Sequence, residues 1–213
     1  AFGLNLVTGG VLEKYHNVGY FKVRMRAEAP EARVDAFEKL TRQVNFQLWK
    51  YKEVQNVVID GFDDPAPKVR AWAAWSAGKM DIQNARPKLV EMVAEDESPQ
   101  VVADAATAVG KLGLDTDARG TIEERMATAD DTTIVIGALR GLALMGSERS
   151  VEAILPLIDS DDDEVMIHAF WALRQIGSER ARDEVRAVLD EEGLSTLRKC
   201  AAFDALKKVA SDD

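Results

Sequence analysis

The sequence predicts an all-α chain: a right-handed α-solenoid of about five to six helix pairs behind a non-repeat N-terminal arm. Three observations predict it. An aliphatic residue is followed four positions later by alanine five times, at Val69/Ala73, Val101/Ala105, Ile134/Ala138, Val165/Ala169 and Leu197/Ala201. The steps between these aliphatic anchors are 32, 33, 31 and 32 residues. Each step also holds a glycine or its substitute between two apolar stripes, the mark of a helix, a turn and a second helix.

The first helix of each unit buries offsets 0, +4, +8 and +11, which gather on one side of a 3.6-residue helix. These are Val69, Ala73, Ala77 and Met80; Val101, Ala105, Val109 and Leu112; Ile134, Ala138, Leu142 and Met145; and Val165, Ala169, Leu173 and Ile176. The small residue at +4 is expected to let a neighbouring helix approach closely. Gly113, Gly146 and Gly177 fall at +12, where a helix ends in a left-handed residue, and Asp81 takes that place in the first clear unit. The second helix is marked by apolar pairs near +20 and +24: Leu89/Val93, Ile122/Met126, Ile154/Ile158 and Val185/Leu189. Asp64-Pro65 and Ser98-Pro99 read as an N-cap followed by proline in the first turn. Asp131, Asp162 or Asp163, and Ser195 do the same job later.

The repeats are read as 31–62 (atypical, with Val34, Val54 and Val58 in register but Glu38 at +4), 63–96, 97–130, 131–160, 161–193 and a single capping helix over 194–213. Lys208 at +11 of the last unit fits a terminal cap. Residues 1–30 form the arm. Phe21, Val23 and Met25 alternate with Lys22, Arg24 and Arg26, as in a short strand or one face of a fraying helix. The arm folds back and caps the first repeat through Tyr15, Tyr20 and Phe21, docks on a partner or another copy, or is disordered.

A 32-residue helix pair with an Asp-Pro or Ser-Pro start, Val-Arg at the anchor and alanine at +4 resembles the HEAT-like repeats of the phycobilisome-lyase type. Asp64, Pro65, Val69, Arg70, Ala73, Ala74 and Gly78 carry the resemblance, echoed by Leu197, Arg198, Ala201 and Ala202. It covers residues 31–211. The Arg after the anchor is replaced elsewhere by Val102, Val135 and Met166. The resemblance implies a fold first, because the motif is structural. It also implies an alternative activity, bilin lyase or chromophore handling on antenna proteins.

Formal net charge is −10. Residues 1–30 balance at +2 and the remainder at −12, so the array repels phosphate backbones and nucleic acid is not an expected partner. No apolar run is long enough to span a membrane. The chain opens on Ala rather than Met, which fits removal of an initiator Met or of an export signal. The reading leans to the cytoplasm, with a mature exported protein as the alternative.

Enzymatic signatures mostly fail. His16 and His168 pair with no carboxylate at a metal-ligand spacing, and the repeated His-Glu pairs of HEAT-like metal hydroxylases are missing. Thr8-Gly9-Gly10 lacks the ending of a phosphate loop. Asp161, Asp162, Asp163 and Glu164 read as a solvated turn. Cys200 reads as a packed structural thiol and His168 as a structural or exposed histidine. No catalytic residue, metal or cofactor is therefore assigned, and the chain leans away from an enzyme.

The aromatics point elsewhere. Offset +6 holds Trp75, Thr107, Arg140, Trp171 and Phe203, nearly opposite the core direction. Trp75, Trp171 and Phe203 are candidate partner-binding residues on the outer side of the first helices, or else are buried between adjacent pairs by superhelical twist. Trp72 at +3 reads as core. The second helices, with Lys88, Glu91, Glu95, Glu123, Glu124, Glu152, Arg182 and Arg186, would line a mostly acidic concave side suited to a basic or amphipathic peptide. Arm residues Lys22, Arg24 and Arg26 are further candidates, able to meet Asp161, Asp162 and Asp163 of a neighbour. The function expected is a non-enzymatic protein-binding or scaffold protein whose partner is another protein, within a larger complex.

Overall fold

The computed structural model describes residues 19–42, 52–191 and 193–207. Tyr15, His16, Thr8-Gly9-Gly10 and Lys208 lie outside them. The described residues are helical or in turns, with no strand among them. The chain divides into two compact units, Ala1–Ala85 and Arg86–Asp213.

In the first unit a helical turn, α1, covers residues 19–24 and is followed by α2 (Pro30–Arg42), α3 (Lys52–Asp60) and α4 (Pro67–Lys79). The alternation of Phe21, Val23 and Met25 with basic residues is thus one face of a helix and not a strand. Phe21 is buried at 2% exposure, while Val23 on the other side stands 72% exposed. The α4 helix packs on α2 and α3. Thr41 Oγ1 and Ser76 Oγ meet at 2.7 Å across α2 and α4; one hydroxyl donates to the other, which donates in turn to the carbonyl four residues before it. Two buried polar groups are thereby satisfied where the helices touch.

Asp64 does not cap a helix in the expected way. The helix starts at Pro67, with Ala66 as N-cap. Asp64 instead receives two guanidinium bonds from Arg33, at 2.7 and 2.8 Å, and one from the Ala66 amide at 2.8 Å. Arg33 also donates to the carbonyls of Ala27 and Glu28, both at 2.8 Å. Its hydrogen bond to Asp64 holds its proton even more firmly than usual.

The second unit contains α5 (Arg86–Glu95), α6 (Pro99–Lys111), α7 (Thr116–Ala127), α8 (Thr132–Met145), α9 (Val151–Ile154), α10 (Asp163–Ile176), α11 (Glu179–Leu189) and α12 (Thr196–Leu206). First helices form a row: α6 packs on α8, α8 on α10, α10 on α12. Second helices pack behind them, α5 against α6 and α7, α7 against α8, and α11 against α10 and α12. The α9 helix is short and passes into a 3-10 segment, Leu155–Asp159. Pro156 explains this, since it removes an amide donor and crowds the preceding turn.

The expected inward positions are buried in the first four clear units, apart from the half-buried Ile176. Asp131, Asp162 and Ser195 accept amide bonds at their helix starts. Ser98 is an N-cap by position but makes no side-chain bond; Asp96 receives its amide. Gly113, Gly146 and Gly177 have φ of 97°, 65° and 65°, and Asp81, the stand-in, has φ 53°.

Two expectations fail on α12. Leu197 is 40% exposed, and Cys200 is exposed rather than packed. The buried residues there are Ala202 and Ala205. The α12 helix is held by α10 and α11 on one flank, so it turns Ala202 and Ala205 inward and leaves the anchor outside.

The α6 and α8 helices approach closely at Gly110, Gly137 and Gly141. A Cβ on Gly137 would stand 2.3 Å from Ala103 Cα. One on Gly141 would stand 2.4 Å from Ala106 O, and one on Gly110 2.3 Å from Gly141 O. The α6 and α8 backbones therefore touch along a line of glycine and alanine. Glycine inside a helix costs about 1 kcal/mol relative to alanine, which the close packing offsets.

Candidate partner-binding face

The outer face of the α6, α8 and α10 row is shaped by that glycine line. Where backbones meet, small residues make a floor and longer side chains on either flank make walls. Between α6 and α8 this leaves a polar groove of about 190 Å³, lined by Gln100, Asp104, Thr107, Thr133, Gly137 and Arg140 among others. Between α8 and α10 a second groove of about 310 Å³ is lined by Thr107, Arg140, Leu144, Ile167, His168 and Trp171. Thr107 and Arg140 line both, so the two grooves adjoin.

The apolar end is exposed. Leu144 is 45% and Ile167 41% exposed, with Trp171 half-buried beside them. Arg140 is held at the junction by His168. Its guanidinium donates to His168 Nε2 at 3.0 Å, and His168 Nδ1–H donates to the Glu164 carbonyl at 2.9 Å. These two partners assign the neutral Nδ1–H tautomer.

At the polar end Asp104 is half-buried. It accepts one bond, 2.8 Å from Gln100 Nε2, and forms no ion pair among the described residues. Desolvation pushes its carboxyl above the ordinary value, and Gln100, Arg140 and Lys111 offset this only in part. The sign for stability follows from linkage. A carboxyl whose folded pKa is raised destabilises the fold above that pKa, and the penalty vanishes below the unfolded value. Asp104→Asn is therefore expected to raise the midpoint of urea unfolding at pH 7, and the gain should disappear as pH falls below about 3.9. Urea titrations of both proteins at the two pH values check this.

The other candidates are placed as follows. Trp75 is half-buried on α4, edge-on to Trp72 at 5.5 Å and 74°, with Lys79 Nζ 4.7 Å from its ring centre. Trp72 is half-buried too, not core. Phe203 is 60% exposed on α12. Arg24 pairs with Asp35 at 3.1 Å, and that carboxylate is held below its usual range by Lys39 and then Arg24. Lys22 and Arg26, both exposed, border a cavity of about 410 Å³ with Arg33 and Asp60. Asp161, Asp162, Asp163 and Glu164 are exposed at the start of α10, with Asp162 as its cap. Among the described residues no group of three or more His, Cys, Asp or Glu side chains could hold a metal ion, and no helix is long and apolar enough to cross a membrane.

Of the groove residues the sequence marks Trp171 as a candidate; Thr107 and Arg140 share its +6 offset without being candidates, and Leu144 and Ile167 are left unmarked. The missing signal was present. Ile167 and Trp171 occupy offsets +2 and +6 of α10, an i, i+4 pair away from the core, and Leu144 stands at +10 of α8, on the same side by offset. Asp104 had no sequence signal, because its desolvation depends on a neighbouring helix.

The HEAT-repeat family profile matches residues 55–136 and 121–207, most of the chain. This protein is a member of the HEAT-repeat family. The described helix pairs agree with it. Among solved structures, the complex of CpcE and CpcF of phycocyanin lyase from Nostoc sp. PCC7120 is similar at TM-score 0.65 and 18% identity, over 86% of this chain and 74% of that one. An engineered protein is similar at TM-score 0.60 and 17% identity, over 89% and 95%. A designed armadillo repeat protein in complex with peptide (KR)4 is similar at TM-score 0.58 and 13% identity, over 89% and 99%. At these identities the likeness is one of fold. A search of curated proteins finds no match.

Proposed function

We propose that this HEAT-repeat protein is a non-enzymatic scaffold that binds another protein through the outer face of α6, α8 and α10. The observation that carries the proposal is the exposed apolar stripe of Leu144, Ile167 and Trp171, set in helices whose remaining outward positions are mostly polar. Stripes of this kind with a tryptophan at their centre concentrate binding energy. Two of the similar folds, in the lyase complex and the armadillo–peptide complex, are themselves held by polypeptide partners.

The test is quantitative capture from native extract with wild-type protein and a Trp171→Ala, Leu144→Ser variant. Leu144 is exposed and Trp171 half-buried, so the unfolding midpoint is measured alongside; a variant that still folds cooperatively is expected to lose its stoichiometric partner. Retention of that partner at wild-type yield would remove the proposal.

A second reading is favoured by the likeness to the phycocyanin lyase complex: a subunit of a chromophore-handling pair. Its readout is separate. Coexpression with a bilin and an antenna protein would yield bilin colour on the antenna protein only under that reading.

A further inference from the structure

We infer that the two adjoining grooves over α6, α8 and α10 together take an extended segment of another protein that carries a lysine or arginine for Asp104 and an aromatic or branched aliphatic side chain for Trp171. This rests on the scaffold reading and adds the chemistry of the partner. The pair has two unlike ends that adjoin at Arg140 and Thr107. Its apolar end offers Leu144, Ile167 and the Trp171 ring. Its polar end offers a half-buried, partly desolvated carboxylate that forms no ion pair with the described residues. A half-buried carboxylate without an ion pair gains more from an incoming cation than a solvated one does. Glu164, on the wall of the same groove, adds a second negative charge. The body of the protein beyond residue 30 carries a balance of −12, which steers a basic segment toward it.

Arg140 and Lys111 act on Asp104 through space and reduce its pull on an incoming cation, though not enough to cancel its desolvation. His168 fixes the Arg140 guanidinium at the junction, and a guanidinium has five N–H groups, so further donors remain for the carbonyls of a peptide passing over it. The length also follows. Neighbouring helix axes lie roughly 8–10 Å apart, and the α6–α8 pair, meeting through glycine, is at the low end, so α6 to α10 is about 17 Å. An extended chain advances about 3.3 Å per residue, so the basic and apolar side chains should be about five residues apart.

The experiment measures fluorescence anisotropy with synthetic peptides carrying one Arg and one Phe at varied separation, on a neutral Gly/Ser background. Each peptide is tested against wild type, Asp104→Asn, Trp171→Ala and Glu184→Gln. Glu184→Gln removes the same charge from an exposed position on α11. The expected result is tightest binding near a separation of about five residues. Asp104→Asn should weaken it roughly tenfold, the size expected for one charge-assisted hydrogen bond. Glu184→Gln should leave it unchanged, and a peptide with Gln in place of Arg should bind both carboxylate variants as it binds wild type.

Equal loss in Asp104→Asn and Glu184→Gln would show diffuse attraction and overturn the inference, as would affinity independent of separation. If Trp171→Ala abolishes binding while Asp104→Asn does not, the partner chemistry is wrong and the scaffold reading stands. If no peptide binds in a way that depends on Trp171, the groove is not a peptide site and the inference falls, while capture of the native partner still decides the scaffold reading. Self-association of the wild-type protein in sedimentation, lost in Asp104→Asn, would give the groove to a second copy and overturn it too.

Discussion

Gly137→Ala is expected to destabilise the Arg86–Asp213 unit by about 3 kcal/mol, the upper range for overpacking a well-packed contact. The physical reason is the floor on which the new methyl would land. It would stand 2.3 Å from Ala103 Cα and 2.4 Å from its Cβ, atoms of a neighbouring helix backbone that has no rotamer to change. Relief requires the α6 and α8 axes to separate, and that opens every contact along the line. Gly141→Ala should behave alike, since its methyl would meet the Ala106 carbonyl at 2.4 Å. Helix propensity argues the other way, because alanine is favoured over glycine by about 1 kcal/mol in a helix interior. The measurement therefore separates two effects of opposite sign. Equilibrium urea unfolding followed by far-ultraviolet circular dichroism gives the difference. An unchanged or raised midpoint would mean that the helices are farther apart than described. Gly120→Ala on α7, where nothing stands within 4 Å, is the control and should be neutral or stabilising.

Arg33→Ala is expected to cost the first unit about 3 kcal/mol, as loss of one partner from a buried ion pair does. The Arg33 and Asp64 side chains are 9% and 11% exposed, and Arg33 makes four hydrogen bonds, two to Asp64 and two to the carbonyls of Ala27 and Glu28. Removing the guanidinium leaves Asp64 as a desolvated carboxylate with one amide donor from Ala66. It also releases the turn that joins α1 to α2. Two consequences should appear together: a lower unfolding midpoint, and faster proteolysis near residues 24–30. The pair should be strongly non-additive. Arg33→Met with Asp64→Ala should cost less than Arg33→Ala alone, because no charge is then left buried. Strict additivity would show that the two side chains act independently.

Much of the fold is legible in the sequence because solenoid contacts are local. The 32-residue period reports the spacing of first helices, and the buried anchors from Val69 to Leu173 follow from 3.6-residue periodicity alone. Even the left-handed turn at Asp81 is legible, since a homologous offset in three other units holds glycine. What escapes is what depends on distance in sequence. Asp64 looks like a cap until Arg33, 31 residues earlier, is seen to claim it. Gly110, Gly137 and Gly141 look like weak points in helices until the neighbouring backbone is present. On α12 the repeat pattern predicts Leu197 as an anchor, but packing from one flank alone moves the buried face to Ala202 and Ala205.

The site was half legible for a similar reason. Offset +6 selects outward positions, and three of the groove residues stand there. Leu144 and Ile167 hide in the sequence because an aliphatic residue in a helix is read as core by default. Asp104 is not legible at all: its partial burial without an ion pair, not its identity, makes it a candidate, and that burial depends on a neighbouring helix.

The central claim is that a protein partner sits on the outer face of the first helices. A photo-crosslinking amino acid placed at Ile167, compared with one at Glu91 on α5, tests it in the native extract. Both positions are exposed. A single partner band from position 167, absent from position 91 and suppressed by Trp171→Ala, is the expected result. A partner band from position 91 with none from position 167 would contradict it and move binding to the second helices.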